Sequence, residues 1–505
     1  MKNFRLFFCA QIILVLMIAA PLSAFEFSEI EKQIVEYKLD NGLTFIILPR
    51  HDAPVVTFIT HVDAGCVDDP MGSMGMAHMF EHMAFKGTRE IGTTDIKKEL
   101  KWIDEEDRIF ELILNERSKG ELADSAVLAS LDEQLAAAAD SSDQYVLTNE
   151  FGQIVEREGG IGMNAGTSYD GTVYYIEYPS NRLELWMAME SDRFANPVLR
   201  QLYKEKQVIA EERRFRITSS PTGKLFLNEF LGLAFNSHPY GKSMVGEMEE
   251  IENYNRPVMR RQLATHYVPR NMAIGIVGDV DPDEVIRLAK KYFGRLADQP
   301  KPRPVMITEE PPFGIRSSTI YENAQPMFIM GYHIPSGRDA DFIALDALAS
   351  YLGSGRTSAL YKNLVKDKKS AVQVSAFTGF PGEKYETLFG VFCIPSNDFT
   401  NAENEAMVLA EIEKVRTETI SDSDLEKIKA KARSGLINAL ASNTGMAVRL
   451  TDYYFLKGDW RELFKDLERV NALTVDDLKR VAHKYLDPDK RVVAYLEKPV
   501  EGESN

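Results

Sequence analysis

Two histidines four residues apart, with a glutamate beside the second, stand in the run His78-Met79-Phe80-Glu81-His82. The stretch from Ser73 to Gly87 has a candidate N-cap in Ser73 and a candidate stop in Gly87, which predicts a short helix. At about 100° per residue, with His78 at 0°, His82 falls near 40° and Glu81 near 300°. The three share one face, while Phe80 and Phe85 point elsewhere. Two imidazoles one turn apart grip one zinc ion, and the adjacent carboxylate takes a proton from the water that such an ion polarises. That is the division of labour of metal-assisted hydrolysis. Histidines also sit in Met-rich helices as plain core or surface residues, so the reading needs a third ligand.

The candidate for it lies in Leu202 to Arg214, which has helical composition. Glu205 and Glu212 are seven residues apart and so within about 20° of each other on a helix, whereas Glu211 is turned roughly 100° from Glu212. Glu212 is the expected metal ligand, with Glu205 behind it to hold a histidine N–H. The competing reading is a solvated acidic helix face.

The elements that must position these residues belong to a chain of 505 residues, 44% hydrophobic and 27% charged, too long for one ordinary core. Lys2 and Arg5 precede an apolar run from Leu6 to Leu22 and the small residues Ser23-Ala24. This reads as a signal peptide over residues 1–24, the alternative being an uncleaved membrane anchor. The formal charge of −17 excludes nucleic acid as a natural partner and fits a well-solvated protein. Cys66 and Cys393 are read as separate buried thiols.

A proline-rich stretch at 298–313 divides the remainder into a unit at 25–297 and another at 314–505. The two units read as related. Each opens on extended runs, Leu43 to Leu48 with Val55 to Val62 and Thr319 to Tyr321 with Met327 to Tyr332. Each closes on a helix, a proline turn and a strand, through His266-Tyr267-Val268-Pro269 and Lys484-Tyr485-Leu486-Asp487-Pro488. The fold class expected is α+β: two homologous half-clamshell domains, each a mostly antiparallel sheet packed with helices. Apolar residues at helical spacings between Thr94 and Gly159, with a turn at Lys119-Gly120, predict a helical hairpin inserted in the first unit at about 98–158, a structural addition or partner surface.

Taken in order, Gly75-x-x-His78-x-x-Glu81-His82, Lys86-Gly87-Thr88, Asn164-Ala165 with Thr167, Glu205 through Glu212, His238-Pro239-Tyr240-Gly241 and Tyr267-x-Pro269-x-Asn271 resemble the pitrilysin/insulinase family of inverted-zinc peptidases. The resemblance covers most of the chain after the signal segment. It implies Zn2+ held by His78, His82 and Glu212, with Glu81 as general base and Glu205 in support. It also implies that Asn164 and Ala165 form the edge that pairs with substrate backbone.

Two departures stand out. The interval from His82 to Glu212 is longer than is usual in the family, which the hairpin accounts for. The arginine and tyrosine that active clamshells of the family place seven apart in the second half fall here on Val365 and Val372, and Arg356 and Tyr361 nearby have a different spacing. The expectation is therefore a zinc metalloendopeptidase acting on peptides or unfolded chains in an enclosed chamber, exported to the periplasm or secreted. It would be the zinc-bearing subunit of a heterodimer, in preference to a homodimer, whose partner supplies the missing pair. The competing expectation is an assembly or binding subunit with a vestigial site.

Overall fold

The computed structural model describes residues 28–499; the expected signal peptide at 1–24 lies outside the described residues. The first half is built on a six-stranded sheet of β1 (Val35–Lys38), β2 (Thr44–Pro49), β3 (Val55–Val62), β4 (Ile161–Thr167), β5 (Thr172–Pro179) and β6 (Met272–Gly278), ordered β1-β2-β6-β3-β5-β4. The second is built on β7 (Arg316–Tyr321), β8 (Met327–Ile334), β9 (Ala371–Phe380), β10 (Thr387–Pro395) and β11 (Val492–Glu497), ordered β7-β11-β8-β10-β9. Without β1 the two orders are the same, and the sense of each pairing agrees: β2 with β6 and β7 with β11 are parallel, all others antiparallel. This is the duplicated α+β architecture that the repeated helix–proline–strand pattern predicts. Residues 297–312 between the halves carry neither helix nor strand.

Alternation along the central strands divides each sheet between two cores. On β8, Phe328, Met330 and Tyr332 join the core of the second half, while Met327 and Ile329 face a cluster with Phe230 and Leu231 of the first half. The first sheet is covered reciprocally. Its back face, Ile46, Leu48, Ile59 and Val277, packs on Met446, Leu450, Trp460 and Phe464 of the second half. Full burial of side chains of this kind contributes about 1.5–3 kcal/mol each. Gly275 on β6 lets this covering helix come close, because a Cβ there would stand 3.0 Å from the Ala447 carbonyl oxygen.

Polar contacts reinforce the seam. Asp63 Oδ1 and Oδ2 lie 2.7 Å from Lys384 and from Lys301, joining first half, second half and connecting segment. Burial works to raise the Asp63 carboxyl, but the two ammonium groups outweigh it and hold it below its ordinary value. Removing one partner of a buried pair such as Asp63–Lys384 costs about 3–5 kcal/mol. Asp170 Oδ2 accepts the N–H groups of Glu383 and Lys384 at 2.6 and 3.0 Å, and its Oδ1 accepts the Tyr240 hydroxyl. The His238-Pro239-Tyr240-Gly241 motif thus serves as a post between the halves.

In the first half, helix α1 (Met76–Met83) follows β3. Next come α2 (Ile96–Arg117), α3 (Ser125–Asp143), α4 (Glu150–Arg157) and α5 (Leu202–Arg213). The hairpin expected between Thr94 and Gly159 is a pair of helices with a third, α4, leading back to the sheet. Leu122, in the turn between α2 and α3, is 86% exposed and so adds nothing to the apolar face that pairs them. In the second half α6 (Phe342–Gly353) takes the place after β8 that α1 takes after β3, and α7 (Asn443–Lys457) and α8 (Glu462–Ala472) cover the first sheet. Cys66 and Cys393 are free and buried. No helix among the described residues is long and apolar enough to cross a membrane.

Candidate metal centre

Helix α1 is buried along Met76, Met79, Phe80 and Met83, so its polar face is turned toward α5 with little freedom. Its start corrects the expectation of a Ser73 cap. The N-cap is Gly75, at φ 84°, and the carboxylate of Asp69 accepts the N–H groups of Gly75 and Ala77 at 2.8 and 2.9 Å. A capping serine was expected because such residues usually act from the adjoining position; here a carboxylate six residues upstream reaches the same amides. Gly75 is required twice over: its φ is left-handed, and a Cβ would stand 2.3 Å from the Val245 carbonyl oxygen. Gly87, the expected stop, also has positive φ, four residues beyond the helix end.

Helix α5 delivers the third donor. His78 Nε2 lies 3.4 Å from Glu212 Oε1, and His82 Nε2 lies 3.5 Å from Glu212 Oε2. One donor atom from each of the three side chains falls within 4.8 Å of the others. Bonds of about 2.05 Å to a tetrahedral zinc ion place donors about 3.3 Å apart, so the two imidazole–carboxylate spacings are of the size such an ion requires. His82 Nδ1 is 3.0 Å from Glu205 Oε1, and Lys86 Nζ is 2.6 Å from Glu205 Oε2. A proton on Nδ1 donated to Glu205 turns the Nε2 lone pair toward Glu212 and the metal position.

The charges are interlocked. Contact with His78 and then His82 holds the Glu212 carboxyl well below its ordinary value. Burial alone would lower His82, but Glu205 and Glu212 outweigh it and raise the imidazole to about 9. Glu205 is held down by His82 and Lys86 against the opposing effect of burial. A metal ion held by these atoms would compete with the His82 proton, so its binding would strengthen with rising pH.

Glu81 stands apart from the donors. Its Oε2 accepts the hydroxyl of Thr167 at 2.7 Å, and Thr167 is the last residue of β4. Asn164 and Ala165 lie on this same strand, whose one partner in the sheet is β5. Among the described residues the opposite edge of β4 is free, and Asn164 and Gly166 are exposed on it. A register shift between Ile161 and Asn164 leaves Asn164 to Thr167 as the regular portion.

Several supporting residues escaped sequence reasoning. Arg200, 1% exposed, donates to Glu99 on α2 at 2.7 Å and to the carbonyl oxygens of Lys86, Thr88 and Ile91 at 2.6, 2.7 and 3.0 Å. It pins the Lys86-Gly87-Thr88 loop, and with it the lysine that holds Glu205. Leu199 and Gln201, either side of it, both have positive φ, which non-glycine residues adopt at a cost of about 1–3 kcal/mol. The first turn of α2 is therefore part of the site's foundation, not only of an inserted hairpin. Arg216, on the π-helical continuation Arg214–Thr218 of α5, lies 2.7 Å from Glu212 Oε1. Its i+4 spacing from Glu212 was the available signal.

Residues 45–105 and 134–247 match the family described as Insulinase (Peptidase family M16), and residues 253–432 match the Peptidase M16 inactive domain. The chain belongs to the insulinase family. The gap in the first match, 106–133, covers the distal parts of α2 and α3, which is where the long interval between His82 and Glu212 arises. The inactive-domain match begins before β6 at the end of the first half and runs through much of the second, where α6 reads FIALDALASYLG and offers no histidine.

Among relatives, the chain is 28% identical over 469 residues to the zinc protease PqqE of Helicobacter pylori, covering 91% of each. It is 23% identical over 462 residues to a probable mitochondrial-processing peptidase subunit beta of Arabidopsis thaliana, covering 89% of this chain and 75% of that one. The crystal structure of a protease from Helicobacter pylori superposes with a TM-score of 0.76 at 26% identity, covering 92% of this chain and 99% of that one.

Proposed function

We propose that this chain is a zinc-dependent endopeptidase that cleaves extended peptides or unfolded chains, with His78, His82 and Glu212 as metal ligands, Glu81 as general base and Glu205 in support. The observation that carries the reading is the convergence of three donors from α1 and α5 within 4.8 Å, beside a free strand edge that ends in a contact to Glu81. Zinc bound there supplies Lewis acidity toward a water molecule and the scissile carbonyl.

The chain's own residues do the rest. Backbone groups of Asn164 to Thr167 pair with an incoming peptide as a further strand, which reads extended backbone with little demand on sequence. The Thr167 hydroxyl fixes Glu81 through Oε2 and leaves Oε1 to take the proton of the attacking water and return it to the departing amine. Glu205, steadied by Lys86, keeps His82 in the tautomer that a ligand needs. Thr167→Val is expected to lower kcat about 10- to 100-fold with zinc content unchanged, and Thr167→Ser to restore it. An unaltered kcat in the valine variant would remove Thr167 from the mechanism.

The working unit includes a homologous second subunit in this reading. Val365 is half-buried against the core of the second half and Val372 on β9 is 64% exposed, so neither supplies the polar group that the resemblance places there. The units at 25–297 and 314–505, joined by 298–313, would form one half of a closing chamber. The apolar stretch at 1–24 supports export to the periplasm. Zinc analysis and cleavage of a quenched extended peptide, with the chain alone and with candidate partner subunits, test this. Bound zinc is expected, with cleavage that rises on adding the partner; full activity from the isolated monomer would dispense with the partner, and no zinc with no cleavage would favour an assembly role.

A further inference from the structure

A strand added to the free edge of β4 sends its side chains alternately to the two faces of the sheet. Beside Thr167 they face Glu81. Beside Gly166 they face the other side, where a cross-strand row runs from His61 on β3 through Val173 on β5 to Gly166 on β4. Apart from its two chain neighbours, no described residue has an atom within 4 Å of where a Cβ on Gly166 would stand. The next side chain in the row, contributed by the added strand, enters the cavity of about 740 Å³ that His61, Val173 and Gly166 line.

The facing wall of this cavity comes from the second half: Asp346 on α6, Glu383 after β9, and Arg449 and Asp452 on α7. Asp346 accepts the Thr378 hydroxyl at 2.8 Å, and Glu383 accepts no side-chain hydrogen bond from the described residues. Asp452 Oδ1 lies 3.3 Å from Nδ1 of His61, which is 8% exposed and makes no hydrogen bond through that nitrogen. Lys384 is occupied by Asp63, and Lys457 by the carbonyl of Gly337. That leaves Arg449 against three carboxyl groups. Desolvation raises Asp346, and desolvation together with Asp346 and Asp170 pushes Glu383 up to about 7. A second cation would relieve this crowding.

We propose that the cavity is a subsite for a lysine or arginine side chain of the bound peptide, one residue along from the position beside Thr167. The proposal rests on the reading of β4 as the peptide-pairing edge and gives that reading a preference in side-chain chemistry. In the Glu81→Gln protein, fluorescent extended peptides carrying one arginine are expected to bind about tenfold more tightly than the same peptides with norleucine. That ratio is expected to fall toward one in Asp346→Asn/Glu383→Gln, which removes like-charge repulsion and so leaves folding unimpaired. Asp452→Asn provides a second, milder decrease. Equal affinity of the two peptides, or a ratio unmoved by these substitutions, overturns the subsite. Discriminating binding with no cleavage by the wild-type chain, either alone or with its partner subunit, keeps the subsite and overturns the peptidase reading instead.

Discussion

Glu81→Gln is expected to retain zinc as the wild type does and to cleave peptides about 10²- to 10⁴-fold more slowly. Glutamine keeps the shape of the side chain and can still accept the Thr167 hydroxyl that Glu81 accepts at 2.7 Å. What it loses is a basic oxygen able to take a proton from water and hand it to the leaving nitrogen. Glu81 is absent from the converging donor set of His78, His82 and Glu212, so metal content has no reason to fall. Zinc measured in both proteins, beside kcat on one quenched peptide, separates the possibilities. Cleavage within threefold of wild type would show that Glu81 is not the base, and loss of zinc would show that it belongs among the ligands.

The second large effect concerns Glu212. Free zinc at about 1,000 times its dissociation constant stabilises a protein that binds it only when folded by about 4 kcal/mol. The wild-type chain should therefore melt at a clearly higher temperature with zinc than with chelator. In Glu212→Gln that difference is expected to shrink strongly, because the variant removes the anionic donor that faces both imidazoles at 3.4 and 3.5 Å. The zinc-dependent shift should also grow from pH 6 to pH 8. His82 is raised to about 9, so across this interval the metal competes with a proton whose hold weakens as pH rises. Thermal unfolding at both pH values, with and without zinc, is the measurement. An equal zinc shift in the variant would take Glu212 out of the site.

Legibility in the sequence followed the range of each interaction. The helix carrying His78, Glu81 and His82 was readable because its polar and apolar positions repeat locally, and Met76, Met79, Phe80 and Met83 do occupy the core. Glu205 and Glu212 were separable from Glu211 on the same ground. The duplicated architecture was readable from two helix–proline–strand endings, which the structure places before β6 and β11. The cap of α1 was misread because Asp69 acts from across a loop, and the hairpin's return helix α4 was missed because the apolar spacing does not mark where one helix ends and another begins.

By itself, the amino-acid sequence determined the candidate donors, the candidate base, the faces of two helices and the α+β duplication, all of which rest on periodicities within a few residues. Only the tertiary structure decided that α1 and α5 bring their donors together across the 129 residues between His82 and Glu212, and that Thr167 on a strand edge open among the described residues holds Glu81. The same is true of Arg200, which ties Glu99 to the loop of Lys86, and of Asp63, which joins the two halves through Lys384. Each of these is a polar residue whose local surroundings resemble those of any solvated side chain. Its partner lies far along the chain, so burial and pairing exist only once both cores have formed.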